Sequence, residues 1–180
     1  MPLLSSFEVL AQPLVPPSVA PFPVPFVVQA YFVQISYPKG TGTGFLKFDL
    51  TFEETTSFTQ GAGQAGLLAQ FINENGVVNN YPTFFTPSRP NGFLAQQIGP
   101  GQTKIYSVTV LPPKPTTAAA LAPVPQSGTG WRGSASLNPS TANALVATPT
   151  QRQIYFSADL KTITDAVVYP VPTASGKTLI

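Results

Sequence analysis

The sequence predicts a mainly β protein: an antiparallel β-sandwich or jelly-roll-like domain, preceded by an extended proline-rich N-terminal arm, with at most one or two short helices. Three observations carry this. Over 45–53, Leu46, Phe48, Leu50 and Phe52 alternate with Lys47, Asp49, Thr51 and Glu53, the period-two mark of a half-buried strand. Further short runs of β-forming residues recur between turn signals along the rest of the chain. The first 25 residues hold seven prolines, and each proline fixes φ and removes an amide donor.

Residues 1–25 therefore read as an extended arm without a core of its own. The arm is apolar, with Leu3, Leu4, Phe7, Val9, Leu10, Leu14, Val15, Val19, Phe22 and Val24 against a single charge, Glu8. Such a segment needs a surface to lie on, either its own domain or a neighbouring subunit, and the neighbour is the preferred reading. A single β domain over 26–180 follows.

Phe26 to Ser36 is apolar on both faces, with Val28, Ala30 and Phe32 on one and Val27, Tyr31, Val33 and Ile35 on the other. That is the pattern of a central strand. The turn-rich stretch Tyr37–Gly44 separates it from the alternating run, which is expected to be its hairpin partner. Leu67, Leu68, Phe71 and Ile72 fall on one helical face before Asn75-Gly76, which predicts a short helix. Residues 77–98 read as loops and short strands, with a turn at Asn91-Gly92. The pair Phe84-Phe85 in this stretch either plugs the core or forms an exposed binding tip.

Gly99-Pro100-Gly101 turns the chain into a strand from Thr103 to Leu111. Five prolines over 112–128 mark a loop, and shorter strands are expected near 130–137, 144–148, 152–158 and 166–171. Trp131 is the only tryptophan. It serves as a core residue or an interface anchor, the core being favoured.

Charge is the unusual quantity. Only 9% of the 180 residues are charged, against roughly a quarter in ordinary soluble domains. Such a surface resists association poorly and suits a protein covered by neighbours. Nine scattered basic residues form no run, so nucleic acid is not an expected partner. No apolar stretch approaches the roughly 20 residues that span a bilayer, and Pro13, Pro16, Pro17, Pro21, Pro23 and Pro25 interrupt any signal-like segment. A membrane partner is not expected either.

The chain has no His and no Cys, which removes Ser–His–Asp and Cys–His catalysis and the usual zinc sites. Its seven carboxylates include the neighbours Glu53 and Glu54, which on a strand point to opposite faces and cannot act as a glycosidase pair. Ser175-Gly176-Lys177-Thr178 resembles part of a phosphate loop, but Val171 stands where that motif needs glycine. No catalytic residue, metal site or cofactor is expected.

An apolar proline-rich arm followed by a low-charge β domain resembles, in layout, phage capsid decoration (cement) proteins. The strings Gly130-Trp131-Arg132-Gly133 and Thr148-Pro149-Thr150-Gln151-Arg152 are also similar to small uncharacterised cyanobacterial β proteins. The layout resemblance implies a virion-surface protein that staples neighbouring subunits. Its partners would be the major capsid protein or copies of itself. Assembly contacts would come from Leu3, Leu4, Phe7, Leu10, Leu14, Val19, Phe22 and Val24 of the arm, with Phe84, Phe85 and Trp131. The alternatives are a self-assembling extracellular filament or surface-layer subunit and a carbohydrate-binding β-sandwich that stacks sugars on Trp131 or on exposed Tyr and Phe.

Overall fold

A computed structural model describes residues 2–15, 25–57, 67–81, 91–110, 129–158 and 161–180. Within them lie ten strands and no helix: β1 (Leu3–Pro13), β2 (Phe26–Ser36), β3 (Leu46–Ser57), β4 (Leu67–Ile72), β5 (Val78–Tyr81), β6 (Asn91–Ile98), β7 (Thr103–Val110), β8 (Thr129–Pro139), β9 (Val146–Phe156) and β10 (Ile163–Pro170). The mainly β fold is as the sequence predicts.

The strands form one antiparallel sheet in the order β5-β4-β7-β2-β1-β8-β3-β6, with β9 joined to β2 and β10 to β9. The sheet branches at β2. One edge of β2 pairs with β9 along its whole length. The other edge is shared: Phe26–Val28 pair with β1, and Ala30–Ser36 pair with β7. The two branches, β1-β8-β3-β6 and β7-β4-β5, curl toward each other, so the single sheet becomes sandwich-like.

Two aromatic groups fill the space between the branches. Phe7 of β1 lies 5.4 Å from Tyr31 of β2 and 5.8 Å from Phe52 of β3. Tyr106 of β7 stacks on Phe71 of β4 at 5.0 Å and meets Phe93 of β6 at 4.9 Å and Phe48 of β3 at 5.9 Å. Each fully buried ring or branched side chain contributes about 1.5–3 kcal/mol by leaving water, and the ring pairs add about 0.5–1.5 kcal/mol each. Tyr31 and Tyr106 are fully buried, and burial pushes both hydroxyls well above the ordinary tyrosine range. The Tyr31 hydroxyl shares a 2.5 Å hydrogen bond with Ser5 Oγ, so a polar group in this core is satisfied.

The N-terminal segment departs most from expectation. Leu3–Pro13 is not an arm but a central strand, paired with β8 from Leu3 to Ala11 and with β2 from Ala11 to Pro13. Leu4, Phe7, Val9, Leu10 and Ala11 are buried. The physical reason lies in the positions of the prolines. Pro2 and Pro13 bracket the strand and none falls between them, so no amide needed by either ladder is missing. Gly133 of β8 lets β1 and β3 close in: a Cβ there would overlap the Glu53 carbonyl oxygen and the Phe7 ring.

Other corrections follow from the branched topology. Leu67–Ile72 is a strand, β4, rather than a helix. It pairs with β5 and β7 and buries Ala69. Six residues are too few for a periodicity to separate helix from strand. β3 is not the hairpin partner of β2; it pairs with β6 and β8. The segment between them crosses from one branch to the other. It is held at its start by hydrogen bonds from Tyr37 N to Gln102 O (3.0 Å) and from Gly101 N to Tyr37 O (2.6 Å). Asn91-Gly92 opens β6 instead of forming a turn, and the strands expected at 144–148 and 152–158 are one strand, β9. The loop at 112–128 lies outside the described residues.

Candidate functional site

The residues expected to make assembly contacts, most of them in the N-terminal segment, are divided between the core and the surface. Leu4, Phe7, Leu10 and Trp131 are spent inside this chain, Trp131 being 7% exposed and part of the core. Their burial withdraws them as contacts for a neighbour. It also withdraws Trp131 as a stacking platform. Leu3 and Leu14 are exposed, and Leu3 lines a cleft of about 440 Å³ beside Pro139 and Leu179. Val19, Phe22, Val24, Phe84 and Phe85 lie outside the described residues.

The exposed apolar surface is concentrated elsewhere, on β10. Every residue of this strand is exposed, including Ile163, Val167, Val168 (59%) and Tyr169. Among the described residues β10 pairs only with β9, as the terminal strand of the run β10-β9-β2-β1-β8-β3-β6. The strand at the other end of that run, β6, exposes Leu94 (62%), and Phe45 (74%) stands exposed just before β3. Neither β6 nor its flanking turn carries a charge, and β10 carries one, Asp165.

The open edge of β10 is closed by local chemistry. Val171 N donates to Pro149 O at 3.0 Å. In the register Pro170↔Thr150, Val168↔Arg152 and Ala166↔Ile154, antiparallel alternation then turns the backbone groups of Ala166, Val168 and Pro170 outward. The Ala166 amide donates to Asp165 Oδ1 at 2.8 Å, and Pro170 has no amide hydrogen. Of these three outward positions, only Val168 keeps an amide with no partner among the described residues. This guards against strand addition, while both faces of the ribbon stay apolar and accessible.

On one face of β9 and β10 lies a cleft of about 450 Å³ reaching across to β1 and β8. Glu8 and Arg132 form an ion pair across it at 2.5 Å. Gln151 is buried and donates through Nε2 to the Glu8 carbonyl oxygen. Tyr169 borders the cleft, and its hydroxyl accepts from Gln153 Nε2 at 3.2 Å. Gln153 Oε1 in turn accepts from the Tyr155 hydroxyl at 2.8 Å. Burial first, then the nearby Glu8 and Tyr155, push the Tyr169 phenol above its ordinary range, so it is a neutral donor at physiological pH. Sequence reasoning missed this cleft, because its residues come from six strands that only the curled sheet brings together.

Arg152 occupies the opposite face of β9, with its guanidinium 3.7 Å from the centre of the Phe32 ring, a cation–π contact. Among the described residues, no cluster of three or more His, Cys, Asp or Glu comes together, and no helix is long and apolar enough to cross a membrane. The string Ser175-Gly176-Lys177-Thr178 belongs to a turn closed by Gly176 N to Thr173 O (2.9 Å), from which the neighbouring Ala174 N donates to Leu4 O (2.7 Å).

No protein-family model matches the chain, and neither a curated protein nor a solved structure matches it.

Proposed function

We propose that this chain is a non-enzymatic structural subunit that assembles with further copies of itself into an open-ended array. The observation that carries the reading is β10, a strand apolar and exposed on both faces whose backbone edge is nevertheless guarded. Exposed, contiguous apolar residues mark contact surfaces in soluble proteins. The guarded edge argues that contact is made by side chains of the ribbon rather than by adding a strand.

The occupant is argued from charge and from topology. A partner for β10 must match an apolar surface with one charge, and this chain's own surface, with 9% charged residues overall, has that character. A second apolar surface at the other terminal strand, with Leu94 and Phe45, gives β10 something to meet. Contacts between two different surfaces are heterologous, and heterologous contacts propagate into filaments or layers rather than closing as pairs. The virion setting implied by the layout resemblance has lost its staple, since Leu3–Pro13 is built into the sheet. An extracellular layer or filament of copies is therefore favoured over decoration of another protein's lattice.

Sedimentation velocity and electron microscopy of the full chain test this. The expected result is concentration-dependent growth beyond a dimer, abolished by Val168→Asp and by Leu94→Asp at unchanged melting temperature. A chain that stays monomeric at the highest concentration reached, or closed dimers insensitive to Leu94→Asp, would overturn the open-ended assembly.

A further inference from the structure

We infer that the cleft lined by residues of β1, β2, β3, β8, β9 and β10 is a binding site for a neutral polyhydroxylated ligand, a sugar unit of a glycan. The inference does not rest on the assembly reading and uses the other face of β10.

Size is the first argument. About 450 Å³ lies within the roughly 300–1,000 Å³ typical of small-molecule sites. Charge is the second. Among the described residues, the ionised groups lining the cleft are Glu8 and Arg132, which neutralise one another at 2.5 Å. An anionic ligand would find no surplus cation and a cationic one no surplus carboxylate, so the field favours an uncharged guest.

The polar groups that remain are the third argument. Tyr169 receives a hydrogen bond from Gln153, which leaves its own hydroxyl hydrogen to donate. Gln151 has committed its Nε2 to the Glu8 carbonyl, leaving Oε1 as an acceptor. Gln29 and Ser6 also line the cleft, and neither side chain makes a hydrogen bond among the described residues. An amide presents a donor and an acceptor side by side, and a hydroxyl can play either part. A vicinal diol of a sugar presents the complementary pair. The Tyr169 ring offers a flat apolar face for the C–H side of a pyranose. The Tyr155–Gln153–Tyr169 chain of hydrogen bonds fixes that ring before any ligand arrives, which lowers the entropic cost of binding.

The test is NMR titration of the full chain with methyl glycosides of glucose, galactose and mannose and with maltose and cellobiose, using glucuronate and inorganic phosphate as anionic controls. At least one neutral probe should bind in the millimolar range and shift amides of β1, β9 and β10. Gln29→Ala and Tyr169→Ala should each weaken it about tenfold, the equivalent of one lost contact, at unchanged melting temperature. Tyr169→Phe should retain most of the affinity that depends on the ring. Val168→Asp, on the opposite face of β10, should break the assembly yet leave sugar affinity unchanged, so failure of one proposal is distinguishable from failure of the other. The inference is overturned if no neutral probe shifts the cleft amides, if glucuronate or phosphate binds there more tightly than every neutral sugar, or if Gln29→Ala and Tyr169→Ala leave affinity unaltered.

Discussion

β1 and β10 are both apolar strands closed by a proline, and the sheet treats them in contrary ways. β1 has a strand on each side and buries Leu4, Phe7, Val9, Leu10 and Ala11. Among the described residues, β10 has one neighbouring strand and exposes every residue. Composition does not distinguish them; position in the pairing order does. An apolar residue contributes to stability only where something covers it. The same residue types that hold the fold together in β1 are left available for contact in β10. The proline matters differently as well. Pro13 ends β1 where it leaves the ladder, whereas Pro170 removes an amide from an open edge.

The largest expected effect comes from removing one side of this contrast. Val9→Asp should unfold the chain, because it buries an unpaired charge in the core at a position with no exposure, a loss above about 4 kcal/mol. Leu50→Asp, at a fully buried position of β3, should do the same. Deleting residues 2–13 should abolish the cooperative melt rather than leave a folded remainder. Val168→Asp in β10 should change stability by no more than about 0.5 kcal/mol. Circular dichroism melts of the four proteins check the set, and a stable truncated protein would show that β1 is dispensable.

A smaller effect appears at alkaline pH. The folded-state pKa values of Tyr31 and Tyr106 are raised by burial, so the folded chain holds those protons more tightly than the unfolded chain does. The stability this represents is fully present below the unfolded tyrosine pKa of about 10 and is lost as pH rises toward the folded value. Melting temperature should stay level between neutrality and that point, then fall, each buried phenol costing about 1.4 kcal/mol per pH unit while only the unfolded state ionises. Tyr31→Phe should make the fall clearly shallower, while Tyr169→Phe on the exposed strand should change its slope less. Equal slopes in all three proteins would mean that the buried hydroxyls do not govern alkaline unfolding.

A further step down lies at the irregular pairing of β3 with β6. Ala95 adopts a positive φ of 51°, and its amide donates to Asp49 Oδ1 at 2.7 Å. Asp49→Asn keeps an acceptor and should change stability little. Asp49→Ala removes it and should cost about 1 kcal/mol, read from the shift in a urea midpoint. Two variants that melt alike would show that this bond adds nothing.

How much of this was legible in the sequence depended on the length over which a signal was read. The alternation from Leu46 to Phe52 names β3 and its buried face without help, because a strand's period is local. β1 was hidden by averaging. Seven prolines in 25 residues suggest an arm, yet the ten residues Leu3–Gln12 contain none. β4 was hidden by brevity, since Leu67, Leu68, Phe71 and Ile72 fit a helical face as readily as a strand pairing with β7. The division of one edge of β2 between β1 and β7 joins residues 13 to 79 positions apart in the chain, and no local pattern encodes it. The cleft was invisible for the same reason: Glu8, Gln29, Arg132, Gln151 and Tyr169 are unremarkable separately and meet only through that topology.

The smallest change in stability carries the sharpest test of β10. Asp165 is exposed, and its carboxylate accepts from the adjacent Ala166 amide, one of three backbone positions that face away from β9. Asp165→Ala frees that amide and leaves β10 without a charge. The folded monomer should lose little, under about 0.5 kcal/mol, because the bond is short-range and wet. The edge, however, gains a second available donor beside Val168, and a flat uncharged edge is a template for strand addition. The variant should therefore form thioflavin-binding aggregates faster than the parent at equal concentration, with growth in the β signal. Asp165→Asn keeps an acceptor side chain and should aggregate at a rate between the two. Restoring a guard by a different route, Val168→Pro in the Asp165→Ala background, should slow aggregation again, since it deletes one of the two open amides and puts a proline on the edge. If Asp165→Ala aggregates no faster than the parent, the edge was never held in check by this residue. The ordered assembly would then have to be explained by the side-chain faces of β10 alone.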